Sequence, residues 1–221
     1  MKKNRLIILT ILVATVLGTG VFYGINNYSK KIQLIQKPDI TALGNGYTKP
    51  GAVKTVISEV LTFDKIVAKI VKDENISTGE AAFAIVGAPG PANHTDPNLA
   101  TYRSISFLIT VDSFYKPTLN LYCQTSEVAG KLGIVKILHV DLDRKYNNMT
   151  KQFGGNIFIS LENEDKIFWI VNGDFLNKGT TKVVGDVSIK VGETADLSFF
   201  ASAADSYKYI YKDYNFSVNN K

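Results

Sequence analysis

The chain has 221 residues and a net charge of +5, from 25 Lys and Arg against 20 Asp and Glu. Lys2, Lys3, Arg5, Lys30 and Lys31 account for the whole excess, since no Asp or Glu precedes Asp39. The remaining charges cancel, so the concentrated positive field that nucleic-acid binding requires is missing, and Cys123, the only cysteine, excludes an intramolecular disulfide.

Residues 1–5 form a basic n-region. Residues 6–25, LIILTILVATVLGTGVFYGI, are an uncharged apolar run. As a helix rising 1.5 Å per residue, such a run spans roughly 30 Å, the depth of a bilayer's hydrocarbon core. It reads as a transmembrane anchor, with a cleaved signal peptide as the alternative. The candidate small-x-small site at Gly18 and Gly20 is poor, and Val21, Phe22, Tyr23 and Ile25 extend the run beyond it. Three basic residues before the run and two after it place the N-terminus in the cytoplasm and the rest outside. The expected location is therefore a single-pass position in a cell membrane, or secretion if the segment is cut. An exported domain without disulfides fits a bacterial envelope better than a small eukaryotic secreted domain.

Residues 26–51 read as a tether. Their end, Gly44-Asn45-Gly46 and Lys49-Pro50-Gly51, is turn chemistry. Residues 52–221 then form the extracytoplasmic domain. From Ala52 to Asp73 the apolar residues recur near helical spacing, which predicts a helix broken or ended near Phe63-Asp64. From Glu80 onward strand signals dominate. Ala81 to Gly87 is a short apolar run. Ser104 to Val111 alternates, with Ile105, Phe107, Ile109 and Val111 on one side. Thr118 to Gln124 sets Leu119, Leu121 and Cys123 against Asn120 and Tyr122. Gly133 to Asp141 follows. Asn156 to Leu161 and Lys166 to Val171 read as a hairpin, Val183 to Val191 as another strand, and Leu197 to Ala201 and Tyr207 to Val218 as the last two. The expected fold is mainly β, a β-sandwich or twisted antiparallel sheet, with one N-terminal helix.

The long polar loop carrying His94 and Asp96 has few partners for a metal, because His139 is the only other histidine. Asp141, Asp143, Asn147 and Asn148 offer alternating oxygens but lack the glycine and closing glutamate of a calcium loop, and read as a turn. Glu162, Glu164 and Asp165 resemble a carboxylate pair only in composition; at a hairpin tip they are solvated. Cys123 shares parity with Leu119 and Leu121 and reads as a small buried hydrophobe. Sequons stand at Asn75, Asn93, Asn148 and Asn215, but a chain this rich in Asn, Ser and Thr yields about two or three by chance, so they carry little weight. No G-x-S-x-G, H-E-x-x-H or P-loop pattern occurs.

The distinctive stretch is the last one. Tyr207, Tyr209 and Tyr211 fall on one strand face, with Tyr214 just beyond and Lys208 and Lys212 opposite. Tyrosines are enriched at binding hot spots, and the competing reading is cross-strand pairing within the sheet. The expectation is a non-enzymatic, membrane-anchored binding or assembly subunit of the envelope. It needs no cofactor or metal, and its partner is another envelope or exported protein. A carbohydrate- or wall-binding module is the alternative, and an extracytoplasmic hydrolase the more remote one.

Overall fold

The computed structural model describes residues 53–86, 100–184, 187–202 and 205–219. The apolar segment 6–25, the tether and the His94–Asp96 loop lie outside the described residues. Among the described residues no helix is long and apolar enough to cross a membrane.

Alternating residues build two antiparallel five-stranded sheets. The first contains β1 (Lys54–Ile57), β2 (Thr101–Leu108), β3 (Thr118–Ser126), β4 (Gly133–Asp143) and β10 (Ile189–Lys190), in the order β1-β2-β3-β4-β10. The second contains β7 (Gln152–Asn163), β8 (Lys166–Leu176), β9 (Thr180–Val184), β11 (Thr194–Ser202) and β12 (Ser206–Ser217), in the order β12-β8-β7-β11-β9. A small hairpin of β5 (Lys145–Tyr146) and β6 (Met149–Thr150) joins β4 to β7. The apolar parities of both sheets enter one buried cluster. Ile105, Phe107, Leu119 and Leu121 come from the first sheet, and Ile157, Ile159, Trp169 and Val171 from the second. Phe107 is the hinge of this contact, with its ring 5.5 Å from Trp169 and 5.2 Å from Phe216. Trp169 Nε1 is buried without a hydrogen-bond partner, so the indole is held by packing alone.

Two glycines face each other across β7 and β8, Gly155 opposite Gly173. A Cβ on Gly173 would sit 2.4 Å from the Gly154 carbonyl oxygen and 2.9 Å from the Phe153 ring. That close backbone approach, with an aromatic ring lying over it, is what glycine permits in a strand interior.

The N-terminal part differs from the expectation. Ala52 to Asp73 is not one broken helix: β1 occupies its first half, pairing with β2 from Lys54↔Leu108 to Ile57↔Ile105. The β-branched residues of Lys54–Ile57 suit that edge. Helix α1 (Phe63–Glu74) starts only after Thr62, whose side chain accepts a hydrogen bond from the Lys65 amide, and ends at Asn75 in the left-handed region. The apolar run from Ala81 is not a strand either. It belongs to helix α2 (Thr78–Val86). Ser77 and Glu80 form a capping box there: Ser77 Oγ accepts from the Glu80 amide, and Glu80 Oε2 accepts from the Ser77 amide. A local cap and alanine-rich composition outweigh a short apolar run. Both helices lie on the outer face of the first sheet, burying Ile66, Val67, Ile70, Ala81 and Ile85 against Tyr102, Tyr122 and Leu138.

Val183 to Val191 is likewise not one strand. Its first residues pair with β11 in the second sheet, while Ile189 and Lys190 pair with β4 in the first. The chain changes sheets within that stretch.

Candidate functional site

The structure divides the four C-terminal tyrosines. The register of β12 on β8 slips between Ser206 and Lys208, and such a bulge changes which side of the sheet successive residues face. Tyr207 therefore turns inward. Its ring lies 5.9 Å from Tyr115, Lys151 Nζ sits 3.9 Å above it, and its hydroxyl donates to Asp112 Oδ2 at 2.5 Å. That bond, and then the Phe114 amide, hold the Asp112 carboxyl below its ordinary range. Tyr207 is a brace between the edge strand and the β2–β3 loop. Tyr214 also packs into the inter-sheet core, 5.9 Å from Trp169. The expected shared face of Tyr207, Tyr209 and Tyr211 is thus divided: Tyr207 turns inward, as Tyr214 does, while Tyr209 and Tyr211 face outward.

Tyr209 is 57% exposed, and its hydroxyl donates to Asn172 Oδ1 at 2.7 Å. Tyr211 lies partly buried against Phe158, Phe168 and Ile170, a small apolar cluster on the outer side of the second sheet. The register places Tyr211, Asn172, Asn156, Ser198 and Val184 in one rung across all five strands. Asn156 Nδ2 donates to Ser198 Oγ at 3.1 Å. An aromatic edge thus continues into a strip of amide and hydroxyl groups. That strip was not legible, because Asn172, Asn156 and Ser198 meet only through the register.

A second constellation assembles on the outer face of the first sheet, beneath the C-terminal turn of α1. Tyr122 donates its hydroxyl to Asp73 Oδ2 at 2.7 Å, and Lys69 Nζ reaches the same oxygen at 2.8 Å. His139 Nε2 lies 2.5 Å from Glu74 Oε1. One rung further along, Ser106 donates to Asn120 Oδ1 at 2.8 Å and Asn120 Nδ2 donates to Asp141 Oδ2 at 3.3 Å. Burial, and then the neighbouring Glu74, push the Asp141 carboxyl up to about 7; the Asn120 hydrogen bond pulls the other way. Burial and the bond to Asp73 raise the Tyr122 hydroxyl well above the usual tyrosine range. A bulge between Tyr122 and Cys123 leaves Leu138 as an extra residue in β4, so that Leu138 and His139 both serve the helix side. One sequence signal pointed here: Asp73 and Glu74 stand at a helix C-terminus, where the macrodipole favours cations.

The remaining candidates separate. Asn147 and Asn148 have φ of 47° and 61° and form the two-residue turn of the β5–β6 hairpin, the chemistry that turn demands. Asp143 Oδ1 accepts from the Lys145 amide beside it. Among the described residues no group of three or more His, Cys, Asp and Glu is arranged to hold a metal ion. Glu162 pairs with Lys166 at 3.0 Å on the exposed β7–β8 hairpin. Glu164 and Asp165 line an open depression with Lys131 and Asn219. Cys123 is fully buried and its thiol is pushed far up by that burial, so it is no nucleophile.

No family model, no curated protein and no solved structure matches the chain.

Proposed function

We propose that this protein is a non-enzymatic binding or assembly subunit of the cell envelope. In this reading residues 6–25 attach it to the membrane, and the domain of two packed sheets, a β-sandwich, works outside the cytoplasm. Its contact surface is the outward side of the second sheet, centred on Tyr209 and Tyr211, and its partner is another envelope or exported protein. The observation that carries the reading is Tyr209. A large aromatic ring stands 57% exposed on a regular strand, with its hydroxyl already tied to Asn172. A ring held in place in this way loses little conformational freedom on binding, which is how tyrosine anchors interfaces.

The strip formed by Asn172, Asn156 and Ser198 favours a second reading, a glycan ligand, because amides and hydroxyls beside an aromatic ring complement sugar hydroxyls and faces.

The test uses the full-length protein in detergent micelles, incubated with solubilised envelope proteins under mild cross-linking. One protein retained by the wild type and lost from the folded Tyr209→Ala/Tyr211→Ala variant supports the proposal. Retention unchanged by the double substitution overturns the assignment of this face. Retention on purified wall glycan, with no protein present, moves the reading to its alternative.

A further inference from the structure

The contact between α1 and the first sheet contains more ionisable groups than a structural contact needs. Helix α1 already buries Ile66, Val67 and Ile70 on that face. An apolar seam would complete the packing without the desolvation cost that buried carboxylates carry. Instead the last turn of α1 is tied down by polar bonds, Asp73 to Tyr122 and Glu74 to His139, with Asp141 two residues along β4 from His139 on the same side of the strand. We propose that this clasp is a proton-operated latch: a proton on Asp141, two residues along β4 from His139, keeps the C-terminal turn of α1 on the sheet, and its loss lets the turn lift.

The charge inventory supports the direction. The titratable groups of the clasp are Glu74, His139, Asp143 and Tyr122, which act on or with Asp141, and the Lys69–Asp73 pair bonded to Tyr122. The neighbouring β2 and β3 contribute the uncharged Ser106 and Asn120. Glu80 of α2 is bonded to Ser77 in its own first turn. With Asp141 protonated, Glu74 has a neutral carboxyl as its neighbour. With that proton gone, the charge of Asp141 adds to those of Asp73, Glu74 and Asp143, against the single lysine Lys69. Moving the turn away relieves that repulsion and returns Asp141 to water.

The sign follows from linkage. Asp141 holds its proton up to about pH 7 in the closed form, whereas an aspartate in water loses it near pH 4. Closure is therefore fully supported below about pH 4, weakens as pH rises, and is insensitive to this group above about pH 7. One proton released on opening makes the opening constant rise by up to about tenfold per pH unit in that window.

The experiment is amide hydrogen exchange of the full-length protein in detergent micelles from pH 5 to 8, corrected for intrinsic exchange rates. Amides of Ile70–Glu74 are read against those of β7 and β8. In the wild type the opening constant of the α1 amides climbs several-fold per pH unit to about pH 7 and then levels, while the β7 and β8 amides do not follow. Asp141→Asn keeps an oxygen for the Asn120 amide to bond and abolishes most of the slope. Glu74→Gln keeps an acceptor for His139, removes the like charge, and moves the levelling point to lower pH. A flat wild-type profile between pH 5 and 7 overturns the latch, as does an unchanged slope in Asp141→Asn. Should Asp141→Asn fail to fold, an unmoved levelling point in Glu74→Gln overturns it as well.

Discussion

The two sheets share a core but treat their outer faces differently. The outer face of the first sheet is roofed by α1 and α2, and two of its polar residues bond across to the roof, Tyr122 to Asp73 and His139 to Glu74, while Ser106, Asn120 and Asp141 bond among themselves. The outer face of the second sheet keeps its bonds within the sheet. Tyr209 reaches Asn172, Asn156 reaches Ser198, and the Tyr209 ring stays in the solvent. The same alternation of residues thus yields a structural surface on one side and a presented one on the other. What decides is whether the neighbouring chain supplies an amphipathic helix. α1 buries Ile66, Val67 and Ile70 on one side and exposes Lys65 and Lys72 on the other, and a helix of that kind must cover something.

This contrast is open to direct attack. The largest effect is expected under the roof, where Ile70 is fully buried. Ile70→Ala leaves a cavity between α1 and the sheet and costs about 2–5 kcal/mol. Urea unfolding should report it as a lowered midpoint at unchanged slope. A loss below the change seen for surface substitutions, about 0.5 kcal/mol, would mean that α1 is an ornament and the two faces are alike. An intermediate effect is expected for Tyr122→Phe, which removes the hydroxyl from Asp73 while Lys69 still pairs that carboxylate. The expected cost is about 1.5–3 kcal/mol, that of a hydrogen bond to a charged group, read from the same curves near neutral pH. The smallest effect belongs to the other face. Tyr209→Ala should change stability by no more than about 0.5 kcal/mol, because it gives up one exposed ring and its bond to Asn172. A loss of 2 kcal/mol or more would show that Tyr209 holds the sheet together and is not presented to a partner.

The tyrosine run illustrates how far the sequence could be read. Period-2 spacing correctly places Tyr209 and Tyr211 together on the outward side of β12. It fails for Tyr207, because one extra residue near Ser206 reverses the parity, and no residue type announces a bulge. The acid cluster was less legible still. Asp73, Glu74, His139 and Asp141 lie on two elements separated by β2 and β3, and only the docking of α1 brings Glu74 within bonding distance of His139 and its charge near Asp141. Helix α2 was missed for a different reason. Its apolar run is too short for periodicity to separate helix from strand, and the signal that could have separated them was the Ser77–Glu80 capping box just ahead of it.

Composition and periodicity by themselves determined a mainly β domain of antiparallel strands, the hairpin at Glu164-Asp165, the inward parity of Leu119, Leu121 and Cys123, and the turn character of Asn147-Asn148. These are local properties. Alternating side chains need one dry side, and two-residue turns need residues that tolerate positive φ. The tertiary structure alone decided which outer face is roofed and which is open. It also decided that Val183 to Val191 serves two sheets, and that Asp141 sits beside Glu74 and His139. Those outcomes depend on register, bulges and the docking of a helix, which set distances between residues far apart in the chain.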